Sequence, residues 1–221
     1  MDKWIAGKSK AVDDKSKMKP IPIPRKFYER NPIAVARDLL GQLLVRRAGR
    51  MLVAGRIVET EAYLGKDDAA AHAYSCKTPR NAVLFGPAGH AYVYFTYGVH
   101  HCMNISCEPD GEAGCVLLRA LEPVNGIAEM AKARGMEIIP RTQHQRKMLA
   151  SGPGRLCMTL GITRERDNGK DLTSSASDLM VVDDGFCVER VLATPRVGIS
   201  KAIDKKLRFV VAGNEYVTAR K

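Results

Sequence analysis

The stretch Leu52 to Tyr63 constrains this fold more than any other. It reads as one longer strand, entered from the turn Ala48-Gly49-Arg50 and followed by a long loop. On it, Ile57, Glu59, Glu61 and Tyr63 should point to one side, and Val58 and Thr60 to the other. Leu43 to Arg47 supplies a preceding strand through the turn Ala48-Gly49-Arg50. Ala91 to Tyr97 and Val99 to Cys107 read as strands joined at Gly98, and Cys115 to Ala120 as another. Leu179 to Val182 and Phe186 to Val191 are expected to form a hairpin around Asp183-Asp-Gly185, and Leu207 to Ala212 a last strand.

Helices fall between these strands without a regular rhythm. Asn31 can cap a first helix, Pro32 suits its first position and Gly41 can close it, with Val35, Leu39 and Leu40 on one face. Residues 126–134 read as a helix ended by Gly135, and a further one lies near 142–150. Another spans 155–160, behind the breaker Ser151-Gly-Pro-Gly154. Residues 64–90 carry Gly, Pro, Asn and Asp punctuation and read as a long irregular loop. Strands and helices that do not alternate argue for an α+β domain with a largely antiparallel sheet, not a doubly wound one.

The chain has 221 residues, which suits one domain over residues 21–221, preceded by a flexible basic tail at 1–20. Pro20, Pro22 and Pro24 hold the start of the domain extended. No apolar run is long enough to span a bilayer, and Met1 to Lys19 has no apolar secretory core, so the protein is expected inside the cell and not secreted. The formal charge of +11 and pI near 9.5 favour a polyanionic partner. The six cysteines have no C-x-x-C or zinc-finger spacing and read as reduced core thiols.

Glu59 and Glu61 place two carboxylates on one strand face beside Tyr63. Such a pair is either solvated or part of a site, because ionised carboxylates are costly to hold beside apolar surface. Tyr92 and Tyr94 share a face, and Tyr97 points away from them beside the turn. Aromatic rings so close to a tight turn can pack in the core or stack on bases. His72 stands without a histidine at helical spacing, and His100 and His101 should face opposite ways, so neither argues for a metal. The zinc-deaminase, phosphate-loop and dinucleotide-glycine patterns are absent.

Taken with their spacing, these stretches resemble the alkyladenine (3-methyladenine) DNA glycosylase family. The resemblance rests on Ile57-Val-Glu-Thr-Glu-Ala-Tyr-Leu-Gly65, Ala71-His72, Thr78-Pro-Arg-Asn81, Tyr92-Val-Tyr94, Tyr97-Gly98 and Met103-Asn104-Ile105. It continues through Cys115-Val-Leu-Leu-Arg-Ala-Leu-Glu-Pro123, Ser151-Gly-Pro, Leu156-Cys157, Arg196-Val-Gly198 and Leu207-Arg-Phe209. It spans roughly residues 20–212 and omits the N-terminal tail. Val99-His100-His101 and a shortened loop between His72 and Thr78 depart from the family's pattern, and that loop borders the pocket.

The resemblance implies a single mixed domain with a curved sheet and a protruding β-hairpin. It implies Glu61 as general base, with Arg119 and the backbone carbonyl of Val197 holding the attacking water. Tyr63, His72, Tyr94, Asn104 and Leu117 line the base pocket, Asn104 excluding normal guanine. Tyr97 fills the gap left in the duplex. No cofactor and no metal are implied. The expected partner is double-stranded DNA containing damaged purines, bound by a monomer in the bacterial nucleoid or a nucleus. Glu59 is expected to be a supporting residue. Strand cleavage is not expected, since no lysine nucleophile stands out. A non-catalytic duplex-binding protein and a small-molecule ligase or transferase are the rival classes. The first has no use for a carboxylate in a base pocket, and the second lacks its phosphate and cofactor motifs.

Overall fold

The computed structural model describes residues 20–49, 51–96 and 98–219. The expected tail at 1–20 and the wedge residue Tyr97 fall, apart from Pro20, outside the described residues. The elements run α1 (Arg25–Tyr28), α2 (Pro32–Asp38), β1 (Leu43–Ala48), β2 (Met51–Tyr63), β3 (Ala91–Thr96), β4 (His100–Cys107) and β5 (Gly114–Asn125). They continue with α3 (Ile127–Ala133), α4 (Gln143–Ala150), α5 (Pro153–Thr159), α6 (Arg164–Asp167), β6 (Leu179–Val182), β7 (Val191–Thr194) and β8 (Arg208–Val211). All strand pairings are antiparallel, in the order β3-β4-β5-β2-β1-β6, with β8 on β2 and β7 on β8. The result is a curled α+β sheet with helices packed on it.

β2 is the axis of this sheet. β5 covers one edge along most of its length. The other edge changes hands. β1 pairs with Met51 to Arg56, and β8 takes over at Glu59 to Glu61. Between them the register slips against β5 at Ile57–Thr60. The bulge overturns the simple alternation read from sequence. Ile57 joins Ala62 in the main core, and Thr60 donates its hydroxyl to the Ala36 carbonyl of α2 at 2.8 Å. Val58 packs instead with Ala120 and Tyr216. An extra residue in a strand re-aims the side chains beyond it. Here it leaves Glu59, Glu61 and Tyr63 together while sending Ile57 to the opposite side.

The helix expected behind Asn31 is α2, which follows the unpredicted α1 and ends at Asp38, before Gly41. The Asn31 side chain accepts from the Ile33 N–H at 3.0 Å, and Pro32 takes the first position. The main core lies between the sheet and the helices, with Tyr28, Leu39, Ile57, Met103 and Leu118 fully buried. α4 begins with a capping box, Thr142 accepting from the Gln145 N–H and the Gln145 side chain reaching back. α5 starts at Pro153, earlier than the breaker suggested.

Three expectations need correcting. Leu179–Val182 does not form a hairpin with Phe186 to Val191. β6 pairs with β1, and β7 pairs with β8. Asp183-Asp-Gly185 still turns locally, but Arg56 holds Asp184 at 2.9 Å and lies 4.0 Å over the Phe186 ring, drawing that segment to β2. The 64–90 stretch is not wholly irregular, since short 3-10 turns form at Gly65–Asp67 and Ala82–Phe85. Of the six cysteines, Cys76 and Cys187 are exposed, and the other four are buried.

Gly65 fixes how the chain leaves β2. It sits at φ +62, and a Cβ there would come within 1.8 Å of the Ala113 carbonyl oxygen. Only glycine allows the backbones to pass so closely. The turn it makes delivers Asp68 and His72 to the end of β2.

Candidate active site

Glu59 and Glu61 both have no exposed surface, yet their surroundings differ. Glu59 is saturated with donors. Its Oε1 accepts from Arg119 Nε, Arg208 Nε and the Thr218 hydroxyl, each at 2.7 Å, and its Oε2 accepts from the Thr218 N–H at 2.7 Å. Burial alone would push this carboxyl up, but Arg119, Arg208 and Thr218 outweigh it and hold the group below its ordinary value.

Glu61 is held more sparingly. Its Oε1 accepts from the Val197 N–H at 2.8 Å and lies 3.2 Å from Arg119 Nη1, and its Oε2 accepts from the Tyr63 hydroxyl at 2.9 Å. Burial pushes this carboxyl above the ordinary value, and Arg119, the Val197 N–H and Tyr63 only partly offset it. The resemblance gave the Val197 backbone a water-holding role through its carbonyl. What the structure shows is its N–H on Glu61. Arg119 forks between the two carboxylates. Burial disfavours its charge, but the flanking Glu61 and Glu59 more than compensate and keep the guanidinium protonated.

Beside this pair opens a cavity of about 610 Å³, within the usual size of a small-molecule pocket. Tyr63, Arg119 and Val197 line it, so each of Glu61's partners faces the opening while the carboxylate lies just behind them. β3 and β4 contribute the far wall. His72 and Tyr94 pack edge to face with centroids 4.6 Å apart, and Tyr92 lies 5.6 Å from Tyr94. His72 Nδ1 meets the Tyr92 hydroxyl at 2.9 Å. His72 is exposed at the rim of the cavity, and partial desolvation of its ring, with the nearby Arg80, lowers its pKa, which favours the neutral imidazole. These rings form one continuous surface. Asn104 and Leu117, paired across β4 and β5, complete the floor. The Asn104 amide donates to the Tyr92 carbonyl at 3.3 Å and its oxygen accepts from the Cys115 thiol at 3.7 Å.

Every expected site residue within the described chain therefore gathers at one cavity. Sequence reasoning missed the frame that holds them. Arg196 and Asp68 form a fully buried ion pair, with Arg196 Nη2 2.8 Å from Asp68 Oδ1. The same guanidinium donates to the Ala62 carbonyl at 3.0 Å and covers one face of the Tyr63 ring at 4.6 Å. The pair pins the loop that carries Val197 to the end of β2. Arg80 and Cys102 also line the cavity. Arg80 and Arg196 stood inside the motif stretches, but nothing in one sequence marked them out. Arg208 also stood in a motif stretch without being marked out, and Thr218 gave no signal, since the Glu59 they share is 149 and 159 residues away in the chain.

A buried carboxylate behind an aromatic cavity, on a chain of charge +11, fits the class of enzyme that acts on nucleobases, a DNA glycosylase. Residues 26–215 match the family model described as Methylpurine-DNA glycosylase (MPG), and the chain belongs to that family. It is similar to proteins named "Putative 3-methyladenine DNA glycosylase" from three organisms. The Koribacter versatilis (strain Ellin345) relative is 56% identical over 200 residues, covering 90% of this chain and 94% of that protein. The one from Burkholderia cenocepacia (strain HI2424) is 47% identical over 197 residues, covering 89% and 90%. The one from Methanocella arvoryzae (strain DSM 22066 / NBRC 105507 / MRE50) is 46% identical over 186 residues, covering 84% and 88%. Among the described residues, no helix is long and apolar enough to cross a membrane.

Proposed function

We propose that the protein excises damaged purines from double-stranded DNA, acting as a monomer, by a water that Glu61 activates. The observation that carries this reading is the Glu61 carboxylate, buried behind the cavity wall with its basicity raised. A general base works best when its pKa approaches the operating pH. In the proposed step the C1′–N bond breaks with its electron pair going to the purine. Water oxygen bonds to C1′, and Glu61 takes the proton that this water loses. The carboxylate also stabilises the positive charge that develops on the sugar. Arg119 and the Val197 carbonyl hold the water.

The extruded base lies between Tyr63 and the His72–Tyr94 wall. Extrusion costs a few kcal/mol, and stacking returns about 1–3 kcal/mol per base. Tyr97, which lies in sequence between β3 and β4, is the wedge that keeps the duplex from closing. Purines alkylated at N3 or N7 are cationic and leave without an acid, so 3-methyladenine and 7-methylguanine are the simplest substrates. Hypoxanthine and ethenoadenine need the base edge bonded, with His72 in reach, while Asn104 excludes the amine of normal guanine.

The test is single-turnover base release from duplexes with one lesion each. Glu61→Gln is expected to lower the rate by about 10²–10⁴-fold, the usual worth of a general base, while lesion binding persists. Turnover at the parent rate would remove Glu61 from the role. Tyr97→Ala is expected to weaken binding to duplex lesions while leaving thermal unfolding unchanged, and unaltered duplex affinity would count against the wedge.

A further inference from the structure

Thr218 lies beyond residues 26–215, the span matched by the family model, and it does not line the cavity. Nevertheless it contributes two of the four hydrogen bonds made to Glu59, one from its hydroxyl and one from its N–H. The contact is reciprocal, since Arg208 Nη2 donates to the Thr218 carbonyl at 2.9 Å. Tyr216, just before it, is buried against Val58 and Ala120. The C-terminal segment is thus seated on the bulge of β2, directly behind the active site.

The consequence runs through Arg119. Its Nε is committed to Glu59 at 2.7 Å and its Nη1 to Glu61 at 3.2 Å. How far the guanidinium leans towards either carboxylate depends on how well Glu59 is satisfied by its other donors. In a site with no exposed surface on either acid, an underpaired charge is costly and draws its neighbours in. Thr218 keeps Glu59 satisfied without Arg119's full attention.

We propose that Thr218 is a positioning residue for base excision, fixing Glu59 so that Arg119 stays shared with Glu61. The proposal rests on Glu61 being the base. Without the Thr218 hydroxyl, Arg119 swings towards Glu59 and Glu61 loses its nearest cation. The groups that face Glu61 are Glu59, Tyr63, Arg119, Arg196 and Cys102. Of these, Arg119 is the one the Thr218 contact governs through Glu59.

The experiment compares the full chain with Thr218→Val, which is close in shape but lacks the hydroxyl, and Thr218→Ser, which keeps it. Single-turnover base release is measured across pH, beside lesion-duplex affinity and thermal unfolding. Thr218→Val is expected to release base about tenfold more slowly, a fraction of the roughly 10²–10⁴-fold worth of the general base it supports. Its acid limb should move to higher pH, lesion affinity should be unchanged, and Thr218→Ser should restore the parent profile. A Thr218→Val enzyme that unfolds more easily but keeps the parent rate and acid limb would overturn the proposal, leaving Thr218 a purely structural contact. Glu61→Gln run in parallel separates the two ideas. If Glu61→Gln is inactive while Thr218→Val is unchanged, only the positioning role falls. If Glu61→Gln is fully active, the general base itself falls.

Discussion

Glu59 and Glu61 are the same residue type on the same strand, equally buried, and their pKa values move in opposite directions. The difference is donor supply. Glu59 receives four hydrogen bonds and lies against two arginines. Glu61 receives two and shares one of those arginines. Folding spends its donors on the carboxylate that must stay charged and inert, and leaves the one beside the cavity short. That contrast is what the proposed roles call for, with the donor-poor Glu61 as the working group and the saturated Glu59 as its support.

The largest effect should come from breaking the saturated member. Glu59→Gln strips the counter-charge from Arg208 and one of two from Arg119 inside the protein. Removing one partner of a buried ion pair typically costs about 3–5 kcal/mol, read as a lowered urea midpoint. Glu61→Gln removes a carboxyl that burial already disfavours in its charged form, so its unfolding free energy should change by less than about 1 kcal/mol, or rise, as happens where activity has been bought with stability. Equal destabilisation by the two substitutions would erase the distinction between the sites.

The two acids should also pull stability in opposite directions with pH. Glu59 has a folded pKa below its ordinary value of 4.5, so its contribution is complete above that pH and is lost as pH falls through the folded value. Glu61 has a folded pKa above 4.5. Its contribution is therefore complete below 4.5 and is lost as pH rises through the folded value. Urea unfolding from acid to neutral pH should show the Glu61→Gln protein gaining on the parent across that second window. An identical pH dependence in the two proteins would mean that Glu61 is not perturbed.

Little of this contrast was legible in the sequence. The long strand at Leu52 to Tyr63, its neighbours and the capped helix at Pro32 could be read because alternation, turns and caps are local signals. The pairing of β6 with β1 and of β7 with β8 could not. The Asp183-Asp-Gly185 turn is real but does not choose partners, and β6 pairs with β1 around Arg46, far away in sequence, while β7 pairs onward with β8. The motif Glu59-Thr-Glu61-Ala-Tyr63 marked both acids, and the resemblance picked between them. The physical reason for that choice comes from positions 119, 197, 208 and 218, which only the fold brings to β2. The bulge at Val58, which no composition rule reveals, is what puts Ile57 on the core side while both acids stay together.

A smaller effect should follow from Tyr63→Phe. The Tyr63 hydroxyl makes the single hydrogen bond to Glu61 Oε2, and bonds to charged groups are worth about 1.5–3 kcal/mol. Its loss takes a stabilising donor from the charged base. The acid limb of base release should shift to higher pH and the rate near that limb should drop, while the ring still packs under Arg196. An unshifted limb would show that Glu61 draws its charge stabilisation from Arg119 and the Val197 N–H alone.

The smallest effect tests the far wall against the carboxylate side. Partial desolvation first and the cationic Arg80 second lower the pKa of the exposed His72 and favour its neutral form. Neutrality matters there because a protonated ring would repel a cationic alkylpurine entering the pocket. Arg80 is exposed and acts across solvent, where salt screens it within about 10 Å at 0.1 M. Arg80→Ala should therefore raise the His72 pKa only modestly, moving it back towards 6.5, as followed by NMR titration of the imidazole. Affinity for a duplex carrying 7-methylguanine should consequently begin to fall at a higher pH on acidification than in the parent protein. If the His72 titration does not move, the partial desolvation of its ring alone sets its pKa, and Arg80 does not reach it.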